Sequence, residues 1–325
     1  MHKTFDMSVN NLEVVGGVAL AKCDVAAGEV LLHAPALITG PGRGGLPVCI
    51  SCYARVDGEY YCNGCSWQCC GEECECGLKD INREQCDLFK EKDIYAAWDS
   101  VDEPTLSMDF IGPHRLLMAI NKDSKLRELL KIDMQNDIRK QRFNIKYYVG
   151  CEDAITKYLT EQCGVTGFTN DEILTALGLF EVRGLHIQNG GKAFHPDVAF
   201  MKQSCVPNTY FNVSLDGTIF MKASVGIKKG ELVTRSMADV MKCSQFRRKD
   251  LEKEFFVDCE CKRCTDGTEF GTNYGGLIIQ DQVFVPSNPK VENCCWTSDK
   301  LPGVEMDGEK CSKDLDVLRR KCDGC

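Results

Sequence analysis

The sequence predicts an α+β fold in which small β-sheets are built from two distant stretches of chain. Three observations lead there. A strand–turn–strand pattern with a Gly-Glu turn, VVGGVALAKCDVAAGEVLL, recurs about two hundred residues later as ASVGIKKGELVT, the turns falling at Gly28–Glu29 and Gly230–Glu231. A cysteine-rich segment follows the first copy. Between that segment and the second copy, apolar residues recur at helical spacing.

In chain order, the β-branched residues around Val14 and Val18 read as strands flanking Gly16 and Gly17. HRLLMAI, from His114, reads as a helix, and Ile155, Tyr158, Leu159 and Cys163 mark one face of another. Thr169 and Glu172 have the spacing of a capping box, ahead of Ile173, Leu174, Leu177 and Phe180 on one helical face. FNVSLDGTIFMKAS, from Phe211, reads as a hairpin turning at Asp216–Gly217. The basic run Arg247, Arg248 and Lys249 is diluted by nearby acids and reads as a solvated helix face.

Composition narrows the class. A chain of 325 residues with 43% hydrophobic and 27% charged residues has the make-up of a water-soluble globular protein with a sizeable core. A net charge of −9 argues against nucleic acid as a direct partner, because phosphate binding needs a basic face. No apolar run approaches the roughly 18 residues of a membrane span, and the amino terminus lacks the apolar core of a signal peptide. The expectation is an intracellular protein of the nucleus, the cytoplasm or both. Such compartments keep thiols reduced, so 22 cysteines point to zinc.

The cysteines are clustered. Cys49 and Cys52 form one C-x-x-C knuckle and Cys62 and Cys65 a second, followed by Cys70, Cys74 and Cys86, with Cys69 and Cys76 to spare. Each knuckle aims two thiolates at one ion, and tetrahedral zinc takes four at about 2.3 Å. Two knuckles and four further ligands therefore make two sites, on which the folding of so short a segment depends. A second cluster, DCECKRC, supplies Cys259, Cys261 and Cys264 and needs a fourth thiolate from elsewhere. Cys294, Cys295, Cys311, Cys322 and Cys325 lie in a tail of Pro, Gly and charged residues, where nothing fixes partners.

The interleaved ligand order resembles the MYND zinc finger. That resemblance implies one ion at Cys49, Cys52, Cys70 and Cys74 and a second held in part by Cys62, Cys65 and Cys86. The family places a histidine four residues before its last cysteine; here that residue is Asn82, and Cys76 is the best candidate to replace it. Taken whole, the chain resembles the SET and MYND domain (SMYD) family of protein-lysine methyltransferases, closest to its arthropod-type branch. The resemblance implies a split SET domain with an inserted MYND finger, a helical insert and a cysteine-rich post-SET segment. Expected boundaries are 1–45 for the first SET part, 46–90 for the finger and 91–185 for the helical insert. The SET core then covers 186–240, the post-SET segment 241–267 and the tail 268–325.

The same resemblance identifies Cys205 as the fourth thiolate beside Cys259, Cys261 and Cys264. It also exposes departures. Family enzymes carry N-H-S-C-x-P-N where this chain has KQSCVPN, so the Asn and His beside S-adenosylmethionine become Lys202 and Gln203. The tyrosine that ends the family's next element, whose hydroxyl lines the methyl-transfer channel, becomes Met237 in GELVTRSMAD. A thioether is only a weak acceptor and cannot orient the amine as that hydroxyl does. An Asn-containing strand before the core reads RGLHI, with Arg183 at the Asn position, and the glycine-rich start is reduced to Gly16, Gly17 and Val18, where backbone approach to the cofactor remains open.

Two functions follow. The favoured one is a zinc-binding regulatory or protein-interaction member with weak or lost methyl transfer, for which S-adenosylmethionine is a doubtful cofactor and about three zinc ions are expected. The alternative is an active S-adenosylmethionine-dependent protein-lysine (histone) methyltransferase. A zinc hydrolase needs an open metal position, which the thiolate spacings do not offer. By resemblance the finger takes proline-containing peptides of protein partners, with Tyr60, Tyr61 and Trp67 as groove residues or as packing around zinc.

Overall fold

A computed structural model describes residues 9–42, 46–75, 80–95, 106–135, 152–240, 242, 244–266, 278–279 and 282–283. The strands are β1 (Val9–Asn10), β2 (Leu12–Val15), β3 (Val18–Ala21), β4 (Val30–Ala34), β5 (Ile38–Pro41), β6 (Leu185–His186), β7 (Gly191–Phe194), β8 (Lys202–Gln203), β9 (Thr209–Val213), β10 (Ile219–Ala223), β11 (Thr234–Arg235), β12 (Ile278–Ile279) and β13 (Gln282–Val283). The helices are α1 (Asp80–Glu91), α2 (Leu106–Asp109), α3 (Ile111–Lys122), α4 (Ser124–Gln135), α5 (Glu152–Lys157), α6 (Asn170–Arg183), α7 (Pro196–Ala199), α8 (Ser244–Asp250) and α9 (Lys262–Thr265). Two compact units result, Met1–Lys202 with Pro207–Arg235, and Gln203–Val206 with Ser236–Cys325.

The larger unit is α+β, and its sheets join chain from both sides of the cysteine-rich and helical segments. β4 lies between β1 and β10 in a four-stranded antiparallel sheet, with Leu32 opposite Met221, and β9 completes it beside β10. β5 pairs with β7, Ile38 opposite Phe194, and β6 lies beyond. The recurring Gly-Glu turns form the same structure twice. Glu29 accepts the Ala26 N–H at 2.7 Å, and Glu231 accepts the Lys228 N–H at 2.8 Å. The two turns also lie against each other, through bridges between Leu20 and Leu232 and between Val25 and Ile227. Pairing across this sequence distance is entropically demanding, and the alternation that drives it buries Leu12, Ala19, Ala21, Leu32, Ile219 and Met221 in one core.

The helices follow their sequence signals. Thr169 and Glu172 form a reciprocal capping box, and Ile173, Leu174, Leu177 and Phe180 are all buried. HRLLMAI lies within α3. Ile155, Leu159 and Cys163 are buried, α5 widening into a π-turn over Tyr158–Gln162. One expectation changes: Arg183 is the last residue of α6, and only Leu185–His186 of RGLHI is strand. Gly184 caps the helix, and the strand begins at Leu185, two residues later than the motif suggests.

A buried guanidinium ties the cysteine-rich segment to this frame. Arg115 of α3 donates to the Ile50 carbonyl (3.1 Å), the Thr39 carbonyl of β5 (2.8 Å), the Tyr53 hydroxyl (3.2 Å) and Gln85 Oε1 of α1 (2.8 Å). Gln85 in turn donates to His114 Nδ1 at 2.7 Å, which fixes that nitrogen as an acceptor. Burial and the neighbouring Arg115 charge hold His114 down at about 4, so it stays neutral in this network.

Candidate metal centres and the altered motif

The two knuckles are built alike. Val48 bridges Arg55 and Tyr61 bridges Gln68, so each C-x-x-C sits at the tip of a small hairpin. Behind each, the residue after the second cysteine turns back: the Tyr53 N–H reaches the Cys49 carbonyl at 2.9 Å, and the Ser66 N–H reaches that of Cys62 at 2.8 Å. Tyr53 and Ser66 both take the left-handed conformation, at φ 64° and 59°. The N–H groups of Ser51 and Cys52 point at Cys49 Sγ, 3.4 Å away. Burial pushes the Cys49 thiol up, but these donors outweigh it and hold the group below its ordinary value.

Three sets of thiols converge, each with all its sulfurs within 4.8 Å of one another: Cys49, Cys52, Cys70 and Cys74; Cys62, Cys65 and Cys86; and Cys205, Cys259, Cys261 and Cys264. Ligands at 2.3 Å on a tetrahedral ion stand about 3.8 Å apart. The sulfurs of Cys52 and Cys70 are 3.4 Å apart, those of Cys62 and Cys86 3.8 Å, and Cys205 lies 4.0 Å from Cys259 and 3.5 Å from Cys264. The sets therefore fit zinc in size as well as in ligand type. Their electrostatics agree. Burial and neighbouring thiolates push up Cys70, Cys74 and Cys86, so a crowd of thiols ionises together only around a cation. Gly64 is required inside its knuckle, since a Cβ there would stand 2.6 Å from Cys86 Sγ.

The second set has three thiols among the described residues. Cys76 lies outside the described residues, as do the tail cysteines 294, 295, 311, 322 and 325; Asn82 falls on α1, which also carries Cys86. Cys69 joins none of the sets; burial and nearby Cys49 push its thiol up to about 12, leaving it a protonated core residue. Trp67 is fully buried, stacked on Phe89 with centroids 5.1 Å apart, and its indole N–H meets the Ile94 carbonyl. Of its two possible roles it has the packing one. Tyr60 is held by Glu75 at 2.8 Å, and Tyr61 remains 49% exposed.

The smaller unit holds the third set. Burial pushes Cys261 up, but the N–H groups of Cys205 and Cys264 prevail and hold it at about 7. Beside the set lies a residue that sequence reasoning placed wrongly. Arg247, taken for a solvated face, is fully buried; it donates to the Lys242 carbonyl (2.5 Å) and Ser244 Oγ (3.0 Å), and its Nη2 lies 3.9 Å from Cys264 Sγ. Arg248 and Lys249 of the same run are exposed. Four thiolates on a dication leave two negative charges, which a buried guanidinium offsets. The only signal for it was the cysteine cluster that begins twelve residues downstream at Cys259, since Arg-Arg-Lys alone reads as surface.

The altered motif divides in the same way. Asn208 accepts the Thr234 N–H (2.8 Å) and donates to the Leu232 carbonyl (2.9 Å), so the conserved-looking end of KQSCVPN holds a neighbouring strand. Gln203 Oε1 accepts the Met237 N–H at 2.6 Å, while its Nε2 faces Cys205 Sγ at 3.5 Å and Cys259 Sγ at 3.9 Å. Met237 packs with Cys205, Leu251 and Cys259. Lys202 is exposed. Gly16 and Gly17 form the two-residue turn between β2 and β3, at φ 58° and 81°, and Val18 opposes Val15 across it.

These features define a thiolate-rich α+β protein of the kind that the SET and MYND resemblance implies. No family model matches the chain. It is 28% identical over 262 residues to the N-lysine methyltransferase SMYD2-B of Xenopus laevis, a match covering 74% of this chain and 56% of that one. It is 24% identical over 291 residues to the SET domain-containing protein SmydA-8, isoform A, of Drosophila melanogaster, covering 85% and 59%. The chain thus spans a little over half the length of these relatives. Among solved structures, that of Rubisco LSMT bound to AdoMet aligns over 82% of this chain and 58% of its own, with 12% identity and a TM-score of 0.40. The resemblance read from the motifs stands on the sequence matches: the chain is similar to SET and MYND domain proteins along most of its length, and the arthropod-type branch is consistent with the fruit-fly match. No helix among the described residues is long and apolar enough to cross a membrane.

Proposed function

We propose that this is a zinc-binding protein of the SET and MYND type that acts through protein contacts and transfers methyl groups weakly or not at all. One observation carries the reading. At the position where family enzymes place a cofactor-contacting histidine, Gln203 has both ends of its amide directed at the Met237 backbone and the thiols of Cys205 and Cys259. A side chain bound in that way supports a metal site and is not available to a cofactor. Met237 adds to this, since a thioether cannot supply the hydroxyl that the family uses to align the lysine amine. Exposed Lys202 contributes less, because water screens its charge.

Three zinc ions, one in each thiol set, would hold the finger and the carboxy-terminal segment folded; in the two four-thiol sets zinc would be a structural cross-link with no open position for catalysis. Reduced thiol sites require a reducing compartment, so residence in the nucleus or cytoplasm is part of the proposal. The partner surface on the finger would use Tyr61 and an extended, proline-containing segment of another protein.

The second reading, an active protein-lysine methyltransferase, draws support from the name of the Xenopus relative. Isothermal titration with S-adenosylmethionine separates the two. The proposal expects binding weaker than about 100 μM and no methyl transfer to histone or other protein lysines. Low-micromolar binding, with lysine methylation abolished by Gln203→Ala, would establish the enzyme instead.

A further inference from the structure

The three thiol sets differ in what they present to solvent. In the second, Cys62, Cys65 and Cys86 are 2%, 2% and 4% exposed. In the third, Cys205 and Cys259 are buried, and half-buried Cys261 and Cys264 each meet a donor. The Cys205 N–H donates to Cys261 Sγ at 3.4 Å, and Arg247 Nη2 stands 3.9 Å from Cys264 Sγ. The first set is open on one side. Cys49 is buried, Cys52 and Cys74 are half-buried, and Cys70 is the one exposed thiol of the three sets. The chain beside it is equally open: a Cβ added to Gly71 would meet nothing within 4 Å. Among the described residues no N–H group donates to Sγ of Cys52 or Cys70, and these two sulfurs lie 3.4 Å apart.

Thiolates are the nucleophilic form of cysteine, and a hydrogen bond that stabilises one also slows its attack. The exposed sulfur without a donor is therefore the one an oxidant reaches first. We infer that Cys70, with Cys52 as its resolving partner, is a peroxide-sensitive site whose oxidation expels the ion of the first set. The Cys70 thiolate attacks hydrogen peroxide, the O–O bond breaks, and a sulfenic acid forms with release of hydroxide. The Cys52 thiolate then attacks that sulfur and displaces a second hydroxide, leaving a Cys52–Cys70 disulfide. Two electrons pass from the two sulfurs to the peroxide oxygens. Cys49 and Cys74 are then the remaining thiolates of the set, too few to hold zinc. The two sulfurs need to close by only about 1.4 Å to reach bonding distance. Exposed Glu72 and Glu73 follow directly and repel anionic oxidants, so a neutral peroxide is the class that fits. Neighbouring Cys69 takes no part, being 1% exposed.

The inference rests on zinc occupying the first set, and counting zinc before any oxidant is added tests that assignment separately. The zinc-loaded full chain, freed of reductant, is treated with about 100 μM hydrogen peroxide. A chromogenic chelator follows released zinc, and free thiols are then blocked for disulfide mapping by tandem mass spectrometry. One ion should leave about tenfold faster than the others, at the rate at which a Cys52–Cys70 disulfide appears. A thiol reductant with added zinc should restore the ion. Cys70→His keeps a zinc ligand while removing the thiol, and it should abolish the fast release. Simultaneous loss of all ions, earlier loss from the third set, or a first disulfide between other thiols, such as Cys70 and Cys74, would overturn the inference. So would fast release that survives in Cys70→His. A chain short of zinc at the outset contradicts the metal assignment alone, because the disulfide map still decides which thiols react.

Discussion

Replacing Arg115 by Met should loosen the attachment of the zinc-finger segment. The guanidinium is 3% exposed and makes four hydrogen bonds, to Ile50, Thr39, Tyr53 and Gln85. Hydrogen bonds from a charged donor contribute about 1.5–3 kcal/mol each, and an acceptor left buried without a donor costs about 1–3 kcal/mol. The simple sum overshoots, because Met restores apolar contact and Tyr53 still donates to Thr39 Oγ1 at 2.7 Å. A net loss of about 4 kcal/mol is expected, at the upper end for one substitution. The assay is urea unfolding followed by tryptophan fluorescence, since Trp67 is buried in the same segment. Arg115→Lys keeps the charge but not the fork and should lose about half as much. A loss under about 1 kcal/mol for Arg115→Met would refute the view that this side chain joins Ile50 and α1 to β5.

Elemental analysis of purified protein should find about three zinc ions per chain, one for each thiol set, and fewer than two would contradict the site assignment. Cys205→Ser should lower the melting temperature more than Met237→Leu, because a lost ligand couples directly to folding; equal values would show that Cys205 holds no metal. Arg247→Met should weaken metal retention by the third set about tenfold in competition with a chelator, leaving the other two sets unchanged. Burial holds His195 at about 4, against an ordinary 6.5, the Gly217 carbonyl opposing the shift. The unfolded chain therefore binds this proton first as pH falls. Stability from His195 is full above 6.5 and is lost progressively toward pH 4, by about 3 kcal/mol in all. His195→Gln should flatten that slope between pH 7 and 5 in urea titrations.

Local rules and ligand counting carry a long way in this chain. Two C-x-x-C knuckles mark two ion sites because each spacing closes one hairpin around one metal, and the hairpins at Val48–Arg55 and Tyr61–Gln68 have that form. The capping box at Thr169, the turn at Asp216–Gly217 and the repeated Gly-Glu turns were legible for the same reason: each is a short-range bond pattern that a few residues specify by themselves. The letters of KQSCVPN likewise showed which positions differ from the family's. What they could not show is where the new side chains go. Gln203 is polar in sequence, and only the fold brings the Met237 N–H and two thiols to its amide. Arg247 and Arg248 are chemically identical neighbours, yet one is buried beside Cys264 and the other exposed, because a helix turns successive side chains by about 100° and only one direction faces the metal ligands. Arg115 and Arg235 have the same side chain and equal burial, but the tertiary structure gives the first two backbone carbonyls and leaves Nε and Nη2 of the second without an acceptor among the described residues. Charge burial depends on what distant segments bring into contact, and that is decided only when the chain has folded.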